Sequence, residues 1–390
     1  VSLTSLVGYA YDPPDKQGLY HYFEHMAFKG TQERTMRDLR YFSSRYLLKN
    51  NAGTGTLRTS YYGTAVRRKL PQLCEFLCDT YFHSIYPEEE IEREKEVVLN
   101  EILTRKDQDH NRAHFALGES LWQNNPLRLY GGGTPEGVNN LSRSDLLNAH
   151  TQWHVPSSTI AIAAGDIHHD DLVEKLNTLI PLQSQKNNVL SKTWSSEYGE
   201  PPAEQDIVIR LPEKEKATIV CGCKFPGYKN QRDQVLRSFL IHMLVRGSNS
   251  MLWQEIREKR GFAYSVSGGI SGEHSLGNYF YANASVLPSR VQQVCDLIYA
   301  CILRPLSDSQ IFEITKEWLY DWHTLGYEDL ENWADLIENT VVRGLPAKRS
   351  ERHFARMRKL IQSVTFDEVE ALRSATLKRK DFVMVTVIPD

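Results

Sequence analysis

A polar, proline-containing stretch at 182–204, closing on Gly199-Glu200-Pro201-Pro202, separates two segments that run through a similar order of strands and helices. A chain organised in this way folds as two similar domains, and 390 residues are enough for each to bury its own core. The first segment opens on a strand-like alternation over 1–11 (Val1, Leu3, Leu6, Val7, Tyr9) and turns at Pro13-Pro14 into a short helix around 21–25. Helices at about 36–48 and 71–83 flank a strand at 57–67, and a further helix begins at Pro87. A helix capped by Ser142 or Ser144, a strand at 160–164 and a helix at 170–179 close the segment. The second segment has strands at 206–211 and 217–224, a helix at 231–246, further strand and helices, and a last strand at 382–388. The expected fold is α+β, with two structurally similar domains that are each a mostly antiparallel β-sheet flanked by helices. They are assigned to 1–182 and 205–390, joined by a linker at 183–204.

Within the first helix, residues 21–25 read His-Tyr-Phe-Glu-His. Helical spacing places His21 and His25 one turn apart on one face, as two ligands of a single metal must be. Glu24 lies on the same turn, where its carboxylate can take a proton from a water held at that metal. The pattern H-x-x-E-H is the inverzincin signature, and a catalytic zinc needs a third protein ligand. The helix that Pro87 opens supplies a candidate. Glu88, Glu89, Glu90 and Glu92 read as a solvated helix start suited to the positive end of the dipole. Glu94 and Glu101 differ, standing two turns apart on one face. Glu101 lies beside apolar Val97, Val98, Ile102 and Leu103, where an unpaired carboxylate is costly. Glu101 is therefore taken as the third ligand and Glu94 as a carboxylate that orients a histidine or the water.

The run Gly18-Leu19-Tyr20-His21-Tyr22-Phe23-Glu24-His25-Met26-Ala27-Phe28-Lys29-Gly30-Thr31, followed by Glu101, closely resembles the pitrilysin/insulinase metallopeptidases, among them the mitochondrial processing peptidases and small bacterial relatives. The resemblance implies one Zn2+ per chain on His21, His25 and Glu101, with Glu24 as general base and Glu94 assisting. It implies the two-domain metallohydrolase fold of the processing peptidases. It continues at Asn51-Ala52-Gly53-Thr54 and Thr59-Ser60-Tyr61-Tyr62, which look like the family's edge strand that pairs with extended substrate. Gly53 stands where the family usually carries an aromatic residue. Downstream, Arg257 and Tyr264 fit an Arg and a Tyr that, in the family, reach a zinc site from a different domain. There an Arg can hold a substrate carbonyl or carboxylate, and a Tyr hydroxyl can donate to an oxyanion. Without the resemblance, the same block reads as a helix ending at Gly261 and then a strand.

The helix of the second segment around Phe239–Leu244 has one histidine, His242, and no H-x-x-E-H, so that half is expected to hold no metal. In four-domain relatives the Arg/Tyr block faces the zinc of the first domain. A two-domain chain with both pieces implies pairing with a second copy, or with a related chain, so that Arg257 and Tyr264 complete the partner's site. The expected activity is zinc-dependent endopeptidase cleavage of short or unfolded peptides in a cavity enclosed by the dimer. The alternatives are a dedicated protease for a presequence or a ribosomally made peptide, and a non-catalytic partner subunit.

Other features exclude function classes. A net charge of −3, with 41% apolar and 24% charged residues, gives no reason to expect nucleic acid or an anionic membrane. No apolar run approaches a membrane span. Six cysteines form no CxxC pair, and Cys74 and Cys78 read as small core residues. The glycines of Tyr130–Gly137 lack the Lys-Ser/Thr of a phosphate loop and read as a flexible turn. Sparse cysteine use suits a reducing, cytoplasmic compartment. The start at Val1 is expected to be trimmed or processed from a longer chain, in which a targeting segment can have been lost.

Overall fold

The computed structural model describes residues 1–181, 194–212, 214–273, 275–326 and 328–390. Half of the expected linker, 183–193, lies outside the described residues. In chain order the first repeat contains β1 (Ser2–Ser5), α1 (Leu19–Met26), α2 (Met36–Tyr46), β2 (Lys49–Thr54) and β3 (Thr59–Thr64). It continues with α3 (Leu70–Phe82), α4 (Glu88–Asp107), α5 (Asp109–Leu121), α6 (Pro135–Asn139) and α7 (Arg143–Trp153), then β4 (Thr159–Ile162) and α8 (His169–Leu179). The second repeat contains β5 (Asp206–Leu211), β6 (Ala217–Phe225), α9 (Gln231–Leu244), a π-helical turn (Trp253–Glu258), β7 (Ala263–Glu273) and β8 (Gly277–Val286). Helices α10 (Val291–Leu303), α11 (Ser309–Leu325), α12 (Leu330–Val342), α13 (His353–Ser363) and α14 (Phe366–Thr376) precede β9 (Phe382–Pro389).

The strand orders expose the duplication. One sheet runs β2-β3-β1-β4 and the other β7-β8-β6-β9-β5. Each strand of the first therefore has a counterpart at the same place in the second, with β5 added at one edge. Every pairing is antiparallel except β5 with β9. The fold is α+β, two sheets flanked by helices. Strand β2 ends one sheet and its counterpart β7 ends the other, so each leaves one line of backbone groups unpaired by its own sheet.

Packing divides the chain into two compact units that interleave in sequence. The first comprises 1–104, 130–192 and 329–351; the second comprises 105–129, 193–328 and 352–390. Counting helices after β3 and β8 makes α5 and α12 counterparts, and each belongs to the unit built mainly from the other repeat. Helix α5 buries Ala113, Leu117 and Leu121, with Trp122, against Val220, Val383, Val385 and Val387 of the second sheet. Gly222 of β6 is what lets the helix approach: a Cβ there would stand 2.8 Å from a Leu117 methyl. Helix α12 is held to the first sheet by polar groups instead. Its buried Glu338 meets Arg58 Nε at 3.3 Å and accepts from Ser60 Oγ at 2.9 Å, and its Glu331 pairs with Lys49 at 2.7 Å.

The described part of the expected linker is pinned within the second unit. Buried Glu197 accepts the backbone N–H groups of Gln123 and Asn124, both at 2.8 Å. The Ser120 hydroxyl donates to Glu204 O, and the Asn125 amide to Ser195 O and Leu276 O. All six cysteines are free and buried, Cys74 and Cys78 in the apolar cluster beneath the first sheet. Among the described residues no helix is long and apolar enough to cross a membrane.

Candidate active site

Helix α1 is short, eight residues, and tertiary contacts hold it. Leu19, Tyr20, Tyr22, Phe23 and Met26 are buried among residues of α4 and α7, which leaves His21, Glu24 and His25 on the open side. Its N-terminus has no capping side chain at Gly18, which sits at φ 102°. The cap comes from six residues upstream: the Asp12 carboxylate accepts from Gly18 N at 2.7 Å and Tyr20 N at 3.1 Å. Burial pushes the Asp12 carboxyl up to about 7 against the pull of those two N–H groups. The glycine turn expected to be flexible is packed tightly beside this cap. A Cβ on Gly133 would lie 2.3 Å from Gln17 O, so only glycine lets that loop close on the start of α1. Tyr22 ties the other side of the helix to α4 by donating to Ile91 O at 2.6 Å.

On the open face the His21 and His25 rings stand 4.6 Å apart. From α4, Glu101 Oε2 lies 3.8 Å from His21 Nε2 and 3.6 Å from His25 Nε2. One donor atom from each of the three falls within 4.8 Å of the others, the only such group of three or more His, Cys, Asp or Glu among the described residues. Two imidazoles and a carboxylate are a ligand set that suits a catalytic Zn2+. The histidine tautomer agrees with that use. His25 Nδ1 donates to Glu94 Oε1 at 2.9 Å, which leaves Nε2 with its lone pair on the side of Glu101.

Glu94 is 5% exposed and bridges His25 and Lys29, whose Nζ lies 2.5 Å from Oε2. Burial raises its carboxyl, but the bonds from His25 and Lys29 outweigh that and hold it below the usual carboxylate range. Glu94 therefore contacts a histidine, and Lys29 is the cation that keeps it charged. For His25, burial pulls the imidazole down while the Glu94 bond and the carboxylates of Glu24, Glu94 and Glu101 prevail and raise it. Glu24 is raised by burial, opposed by the Thr54 hydroxyl, which donates to its Oε2 at 2.7 Å. A base lifted in this way accepts a proton more readily near neutrality.

The candidate substrate residues on β2 alternate. Asn51 and Gly53 are exposed, Ala52 is buried against the sheet's core, and Thr54 turns inward to Glu24. Thr54 thus orients the carboxylate in addition to lying on the edge strand, a role no local motif signals. A Cβ on Gly53 would meet nothing within 4 Å, so space stands open where an aromatic side chain was expected in relatives.

Arg257 and Tyr264 belong to the second unit and are brought to each other. The Arg257 guanidinium lies 4.2 Å from the Trp253 ring centre and 4.8 Å from that of Tyr264, and it donates to Tyr264 O at 2.6 Å. Arg257 rides on the π-helical turn and Tyr264 on β7, where the register with β8 breaks between Ala263 and Val266. A bulge there re-aims the side chain, and Tyr264 is 82% exposed. Glu255 fixes the turn, holding Lys259 at 2.8 Å and Arg260 at 2.6 Å. His242 lies against Trp318 in the second unit, with ring centres 4.5 Å apart and planes tilted at 40°.

Comparison with known proteins gives the chain's family. The family described as "Insulinase (Peptidase family M16)" matches residues 1–131, and its companion "Peptidase M16 inactive domain" matches 140–316. The chain belongs to the insulinase peptidase family. An uncharacterized zinc protease of Streptomyces coelicolor is 26% identical over 385 residues, 97% of this chain and 82% of the relative. One from Mycobacterium leprae is 26% identical over 380 residues, 93% of this chain and 81% of that one. In fold, the chain is similar to a protease from Helicobacter pylori, with a TM-score of 0.87 at 17% identity, covering 100% of this chain and 93% of the other. The family's companion domain is described as inactive, and the second unit holds no group like His21, His25 and Glu101 among its described residues.

Proposed function

We propose that the chain is a zinc-dependent endopeptidase that cleaves short or unfolded peptides, with one Zn2+ on His21, His25 and Glu101 and Glu24 as general base. The convergence of those three donor groups beside Glu24, on one helix turn and one facing helix, carries the reading. Zinc bound there would supply Lewis acidity to the scissile carbonyl and to an attacking water. Glu24, oriented by the Thr54 hydroxyl, takes the proton of that water and returns it to the leaving amine. Glu94 keeps the His25 ring in the orientation that presents Nε2.

Substrate is proposed to join β2 as an added strand, since β2 ends its sheet. Asn51 and Gly53 face outward on that edge, and the open space at Gly53 admits a substrate side chain. The exposed Tyr264 hydroxyl and Arg257 are proposed to serve the site of a second copy, donating to the oxyanion and to a substrate carbonyl. The test is cleavage of a quenched fluorescent peptide with parallel metal analysis. Zinc-loaded protein should cleave, chelator should stop it, and Glu24→Gln should lower kcat by about 10²–10⁴-fold while zinc stays bound. Undiminished cleavage by Glu24→Gln, or by metal-free protein, would overturn the proposal.

A further inference from the structure

The chain carries two further histidine pairs at the same spacing as the first, and in one of them, His150 and His154, both rings already bond Tyr81 O, at 3.2 and 2.8 Å. His110 and His114 lie four apart in the first two turns of α5, with ring centres 4.4 Å apart and planes inclined at 61°. The corresponding values for His21 and His25 are 4.6 Å and 72°. His110 is exposed, and His114 is half-buried with its ring edge-on to Tyr281, 5.0 Å between centres. His114 Nε2 is buried and has no hydrogen-bond partner. A buried imidazole nitrogen with no partner is an uncompensated cost unless something binds it. The neighbouring charges are matched already: Asp109 pairs with Lys214 at 3.0 Å, and Arg112 with Asp107 at 3.6 Å.

We propose that His110 and His114 bind a divalent transition metal, a second metal site on the chain. Two imidazoles one helical turn apart can chelate one ion from the same face of a helix. Imidazole suits Zn2+, Ni2+ and Cu2+, whereas Mg2+ and Ca2+ call for oxygen ligands. Among the described residues no carboxylate or thiol joins the pair to make a group of three, so the ion exchanges more readily than one held by three protein ligands. The consequence falls on α5. A chelate across its first turns fixes the end of the helix whose Ala113, Leu117 and Leu121 cover the second sheet. Metal that binds the folded helix better than the unfolded chain stabilises that unit.

Equilibrium dialysis of the full, chelator-stripped chain against Zn2+ and, separately, Cu2+, with bound metal counted by mass spectrometry, tests the site. We expect two equivalents per chain at saturation, with Cu2+ held more tightly than Zn2+ at the second. His110→Gln removes an exposed ring and leaves the packing against Tyr281 in place, so it should lose one equivalent and keep the fold. His21→Gln with His25→Gln should lose the other equivalent and retain this one, whether or not the peptidase reading holds. In that background, Cu2+ should show nitrogen hyperfine splitting by electron paramagnetic resonance, and added His110→Gln should weaken it. An unchanged metal count in His110→Gln, or no metal bound by the His21→Gln, His25→Gln chain, overturns the proposal.

Discussion

Glu94 and Thr54 illustrate two ways in which a residue can act on a site through another group. Glu94 acts on a candidate ligand: it fixes the His25 ring and draws its own charge from Lys29. Thr54 acts on the candidate base by donating to Glu24. Their substitutions should therefore separate. Glu94→Gln should weaken zinc affinity by about 10–100-fold, measured by competition with a chromophoric chelator. Thr54→Val should leave zinc affinity unchanged and lower kcat, because it frees the Glu24 carboxylate without touching the ligands. Equal zinc affinities for Glu94→Gln and the parent chain would remove Glu94 from its assigned role. Both glutamates and the two histidines were legible as spacings on two helices. Lys29, Thr54 and Asp12 were not assigned these contacts, because each meets its partner through tertiary packing and no periodicity reports that.

The elements that position the site were legible in outline. The His-x-x-Glu-His spacing marked α1, Pro87 marked the start of α4, alternation marked β1, and strands were expected at the places of β4, β6 and β9. Less legible was how a turn can be built to hold a side chain. The π-helical turn Trp253–Glu258 places Arg257 on the Trp253 ring, and Glu255 secures it through Lys259, Arg260 and Arg304. The bonds from Lys259 and Arg260 lower the Glu255 carboxyl to about 2, from an ordinary value of 4.5. A depressed folded-state value stabilises the fold above the unfolded value and loses that contribution as pH falls. Glu255→Gln should accordingly lower the thermal stability of the second unit at pH 7, and the difference from the parent should shrink between pH 4.5 and about 2. A constant difference across that window would mean that Glu255 acts through packing alone. The turn at Tyr130–Gly137 is a contrasting case. Its glycines suggested mobility, whereas Gly133 is there because the start of α1 leaves no room for a Cβ.

At the scale of the molecule, the exchange of α5 and α12 makes each unit depend on a helix from the other repeat. The two dependences differ in kind. Helix α5 contributes buried aliphatic surface, so Leu117→Ala should cost about 2–5 kcal/mol. The loss should appear as faster amide exchange in β6 and β9 with β1 and β3 unaffected, although residue 117 belongs to the first repeat in sequence. Helix α12 relies on the buried Glu338 contacts and an exposed Lys49–Glu331 pair, the latter worth at most about 1 kcal/mol. The proposed dimer makes a prediction at the same scale. Glu24→Gln and Arg257→Ala chains, each inactive alone, should recover part of the activity when mixed, because one hybrid site would carry both intact contributions. No recovery would exclude completion of the site by a partner chain. By itself the sequence determined what is local: the helical turn that aligns His21 with His25, the two-turn separation of Glu94 from Glu101, and the apolar periods that specify helices and strands. Those follow from the pitch of the backbone and need no distant partner. Only the tertiary structure decided which carboxylate faces which imidazole, where Thr54 points and which sheet each exchanged helix covers. Such choices depend on contacts between residues far apart in sequence, selected by burial and by the cost of leaving buried polar groups unpaired.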